Sequence, residues 1–85
     1  MITIAEATAE AVRLALLRHW CRQVADRRPP HDDVSDEAAA LAGELARTLT
    51  VLELLRGTHR DTRILTGRAR NLTERLAVIG LALPG

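Results

Sequence analysis

Ala38, Leu41, Leu45, Thr48, Leu52 and Leu55 follow one another in steps of three and four. Such a series draws one narrow apolar stripe along a helix, and a stripe of that kind is covered only by another helix. Leu49 widens it, while Gly43 and Arg47 fall on the opposite side. The spacing therefore predicts a helix over about 36–56 that cannot stand alone. Val51 and Leu54 lie on its flanks, where a small bundle leaves side chains uncovered.

Residues 4 to about 26 contain no Gly or Pro and are rich in Ala, Leu, Glu and Arg, so a helix is predicted there. Its apolar residues form two groups. Ile4, Ala7, Ala11, Leu14, Leu17, Cys21 and Val24 share one face, and Val12, Leu16 and Trp20 recur every four residues on another. A helix apolar on two sides is either central in a bundle or shared between a core and a partner. Pro29 and Pro30 cannot continue this helix, and residues 27–35 read as a connector. Asp33 or Ser35 can cap the next helix, whose positive end Asp36 and Glu37 complement.

Gly57 fits a helix stop, and Thr58 with Asp61 resembles a capping box for a third helix over about 59–80. Leu65, Ala69, Leu72, Leu76 and Ile79 line one face of it. Extending the central stripe past Leu52 lands on His59 and Thr66, so one long helix is disfavoured. Gly80 weakens the end, and Pro84 with Gly85 closes the chain. The expected fold is all-α: three antiparallel helices (about 4–26, 36–56 and 59–80) in a single helical domain over 1–85. Three helices do not cover every apolar face, so dimerisation is expected to complete the bundle.

A chain of 85 residues supports a small core, and with Trp20 the sole aromatic that core is aliphatic. Twelve basic residues, all Arg, against eleven acidic ones leave a formal charge of +1, which does not argue for nucleic acid or an anionic membrane. A single Cys, without the paired Cys and His spacing of zinc sites, fits a reducing cytoplasm. Glu6 and Glu10 interrupt what a secretory signal needs, and no apolar run approaches the roughly 20 residues of a membrane span. A cytoplasmic protein with no membrane contact is expected.

Arg18-His19-Trp20-Cys21-Arg22 gathers reactive residue types in sequence but not in space. Successive helical side chains point about 100° apart, so His19, Trp20 and Cys21 look three ways. Cys21 joins the core face, where a thiol is inert. His19, His31 and His59 sit on different segments, and none has the i, i+4 His partner of a helical metal site. Ser35 follows an acidic loop, as does the modified Ser of acyl carrier proteins, but Asp33-Val34-Ser35-Asp36 is not that family's Asp-Ser-Leu. No catalytic residue, metal or cofactor is indicated. Between 56 and 75 six Arg face only Asp61 and Glu74, which makes His59, Arg60, Arg63 and Arg70 candidate contacts for an anion or nucleic acid. Absent stacking aromatics, absent Lys and an available Arg70–Glu74 pair favour a solvated face instead.

Asp32-Asp33-Val34 after a Pro-containing loop, Ala40-Leu41-Ala42-Gly43-Glu44-Leu45-Ala46-Arg47, and Arg68-Ala69-Arg70-Asn71-Leu72 resemble a group of small helical proteins from actinobacterial natural-product gene clusters. That resemblance covers about a third of the chain, transfers no catalytic residue, and implies an accessory role in secondary metabolism. Together the residues point to a noncatalytic interaction protein, a homodimer or the partner of another helical protein, with Val12, Leu16, Trp20, Val51 and Leu54 at the interface. The alternatives are a small nucleic-acid-binding regulator using the third helix, or a small helical enzyme with a pocket between helices.

Overall fold

In the computed structural model residues 4–84 are described, with Ile4 and Ala7 described by backbone alone; the side chains of those two and the terminal Gly85 lie outside the described residues. Three helices follow in order: α1 (Ile4–Ala25), α2 (Asp36–Leu55) and α3 (Arg63–Ile79). No strand occurs among the described residues, and the fold is all-α.

α2 holds the molecule together. Its stripe of Leu41, Leu45, Thr48 and Leu49 is buried, and Ala38, Ala39, Ala42 and Ala46 are buried alongside it. The Thr48 hydroxyl sits in this apolar seam without penalty because it donates to the Glu44 carbonyl one turn back at 2.9 Å. α1 contributes Leu17, Cys21 and Val24 to the core and α3 contributes Leu72 and Leu76. Leu45, Leu76, Val24 and Cys21 are the largest side chains fully withdrawn from water. Each buried Leu or Val of this kind stabilises the fold by about 1.5–3 kcal/mol.

Both outer helices run antiparallel to α2. Ala25 at the end of α1 lies beside Gly43, where an added methyl would sit 3.7 Å from the Ala25 Cβ. That is an ordinary van der Waals distance, so the two helices pass side by side there with room for a methyl. An Arg68–Glu44 ion pair ties α3 to the opposite side of α2. Among the described residues α1 and α3 pack on α2 but not on each other, so α2 has two helical neighbours and each of them has one.

The connector is short and well tied. Arg27 takes a positive φ of 52°, its guanidinium bonds to Asp36 and reaches the Val34 carbonyl, and the Pro29–Pro30 bond is cis. Ser35 then accepts the Ala38 amide at 3.1 Å as the N-cap of α2. α3 begins at Arg63, four residues later than the capping pattern at Thr58 predicts. The reason is local. Thr58 donates its hydroxyl to the Leu55 carbonyl at 2.7 Å and accepts the Arg60 amide at 3.3 Å, while Asp61 accepts the Arg63 amide at 2.9 Å. Thr58 thus serves a turn after Gly57 (φ 79°), and it is Asp61, three residues later, that satisfies the first amide of α3. Gly80, at φ 102°, ends α3 in the left-handed conformation, and Leu81 and Leu83 fold back onto the core.

Candidate functional site

Because α1 and α3 flank α2 without meeting, a cleft of about 650 Å³ opens between them. Its floor is apolar: Leu14 and Leu17 from α1, Leu49, Leu52 and Leu55 from α2, and Ala69 from α3. Small polar side chains, Thr66 and Thr73, form the α3 wall, and the rim is charged, with Glu10, Arg13 and Arg18 on one side and Arg60, Arg70 and Glu74 on the other. Leu17 and Leu49 are buried beneath it, whereas Leu14, Leu52 and Leu55 remain half-exposed.

The charges divide into paired and unpaired. Arg13 bonds Glu10 at 2.6 Å, and that hydrogen bond holds the Glu10 carboxyl below its usual range. Arg56 pairs with Glu53 at 2.6 Å. Among the described residues Arg18, Arg60, Arg70 and Glu74 have no ion-pair partner. The expected Arg70–Glu74 pair does not form, consistent with the few tenths of a kcal/mol such an exposed pair is worth.

The four residues expected as anion or nucleic-acid contacts are divided between a turn and a helix. α3 starts at Arg63, so His59 and Arg60 lie in the preceding turn and are not in helical phase with Arg70. Arg63 is engaged by Asp61, whose carboxyl it holds below the ordinary range through hydrogen bonds of 2.8–3.1 Å. Arg60 and Arg70 turn to the cleft.

Of the residues expected at an interface, Val12, Leu16, Val51 and Leu54 keep 54%, 57%, 41% and 75% of their surface exposed. Val12 and Leu16 lie on α1. Val51 lines a shallower recess with Gly43, Ala46 and Thr50 on the other side of the α1–α2 seam. Trp20 is placed differently: half-buried, it packs on the core, and its ring stands edge-on to His31 at 5.7 Å and 81°. The folded-back connector covers it.

The Cys, His and Ser side chains among the described residues stand apart from one another. Cys21 is fully buried, and burial pushes its thiol up to about 12. His19 is exposed on α1, His31 rests on Trp20, and His59 lies in the turn. Among the described residues no three His, Cys, Asp or Glu side chains gather as a metal-binding group. Ser35 is occupied as a helix cap. No helix of the described residues is long and apolar enough to cross a membrane. The cleft was not legible as such in the sequence, though its floor residues were already assigned to helix faces. No known family, curated protein or solved structure matches the chain.

Proposed function

We propose that this chain is a noncatalytic helical interaction protein that self-associates through apolar helix faces. One observation carries the reading: Val12 and Leu16 on α1, and Val51 and Leu54 on α2, stay exposed on helices that already bury another face in the core. Two separated apolar faces on one helix serve a second surface. The role is binding rather than catalysis, in a cytoplasmic setting; the resemblance to actinobacterial cluster proteins further supports an accessory part in secondary metabolism. Sedimentation velocity across micromolar concentrations tests it. The expected species has twice the 9.3 kDa mass of the chain. A monomer throughout that range overturns the proposal.

A further inference from the structure

We infer that the cleft between α1 and α3 is filled by α1 of a second copy, each chain seating its first helix in the other's cleft. This rests on the self-association proposed above and names its geometry.

The argument begins with α1. None of its described side chains before Leu17 is buried, although the helix starts at Ile4. Ala5, Ala9, Val12 and Leu16, in steps of four, three and four, are all exposed. At about 100° per residue this stripe lies about 115° round the helix from the buried Leu17, Cys21 and Val24, which pack in the core. α1 therefore offers a second seam well apart from its first.

The cleft supplies what that seam lacks. α1 and α3 each pack on α2 and not on each other, which leaves the cleft between them as the open corner where a fourth helix fits. A helix placed there rests on Leu14, Leu49 and Leu52 and meets a wall of small residues, Thr66, Ala69 and Thr73, which admits protruding side chains such as Val12 and Leu16. When the occupant is α1 of a second copy related by a two-fold axis running along the helices, the two first helices lie parallel at the centre of six. Each then packs between its own α2 and the partner's α3. The side of α1 that meets the partner's α3 is the one turned away from its own α2, which is where the exposed stripe lies.

Area favours this occupant over a foreign helix. From Ala5 to Leu16 a helix is about 18 Å long and about 10 Å across, so half-enclosure hides on the order of 300 Å² of helix and as much of the groove. One filled groove totals about 600 Å², below the roughly 1,000 Å² of a specific interface. Two reciprocal grooves reach about 1,200 Å² and pass that bound. Only a symmetric second copy fills both.

The test compares three variants by sedimentation velocity at a concentration where the parent chain is dimeric, with circular dichroism confirming each fold. Leu16→Glu charges the stripe, Thr66→Trp fills the cleft from α3, and Leu54→Glu charges the outer face of α2. The first two are expected to halve the mass while Leu54→Glu leaves it unchanged; Thr66→Glu replaces Thr66→Trp where the indole unfolds the chain. A dimer that persists with a blocked cleft, or one lost in Leu54→Glu, overturns the cleft assignment and leaves self-association standing. A monomeric parent chain removes both.

Discussion

Ser35 shows how one oxygen decides where an element begins. Its hydroxyl accepts the Ala38 amide at 3.1 Å, in extended backbone at φ −68° and ψ 161°, and so satisfies one of the free donors at the start of α2. Ser35→Ala is expected to lower stability by about 1 kcal/mol, read as a shift in urea midpoint at unchanged m. Cys21 carries the opposite kind of chemistry. Burial raises its thiol to about 12 from an ordinary value of about 9, so the folded state keeps a proton that the unfolded chain gives up sooner. The stabilisation is whole below about pH 9 and drains away as pH rises toward 12. Urea titrations between pH 8 and 11 should show the parent chain losing stability relative to Cys21→Ala as pH rises, and a thiol reagent at pH 8 should label Cys21 only after unfolding.

Among the elements, the connector has more structure than its composition suggests. His31 stands edge-on to Trp20, Arg27 reaches both Val34 and Asp36, and the chain is laid over the last turns of α1. His31→Ala is expected to shift Trp20 emission to the red with little change in helical content, as measured by fluorescence and circular dichroism. The helices themselves were legible because the information is local. The three-four spacing of Leu41, Leu45 and Thr48, and the capping oxygen of Ser35, act within one or two turns. The start of α3 was misplaced because Thr58 serves a turn as readily as a helix, and the choice between them is made by neighbours such as Leu55 and Arg60. Trp20 repeats the lesson across a longer distance. Its phase on α1 matches Val12 and Leu16, yet it is half-buried where theirs are exposed, beside a ring eleven residues later in the chain. The cleft depends on how far α1 and α3 stand apart across α2, a relation between three helices that no single periodicity contains.

At the scale of the whole molecule, the radius of gyration is 13.4 Å, above the roughly 12 Å of a compact chain of this length. The 41 Å long axis accords with helix length, the 22 residues of α1 spanning about 33 Å, and the two outer helices flank α2 with the corner between them left open. A second copy in that corner couples folding to association, so the thermal midpoint is expected to fall by about 4 °C for each tenfold dilution, checked by calorimetry over a concentration series. A midpoint that does not move would mean that the monomer alone is the folding unit. The absence of direct packing between α1 and α3 also bears on how the chain reaches this state. Every helical pairing joins sequence neighbours, α1 with α2 and α2 with α3. The search for the native arrangement is therefore a matter of closing two short loops, with no distant segments to bring together first. A topology of such low contact order folds on the microsecond-to-millisecond scale, and it leaves the monomer complete in its pairings well before two copies have had time to meet.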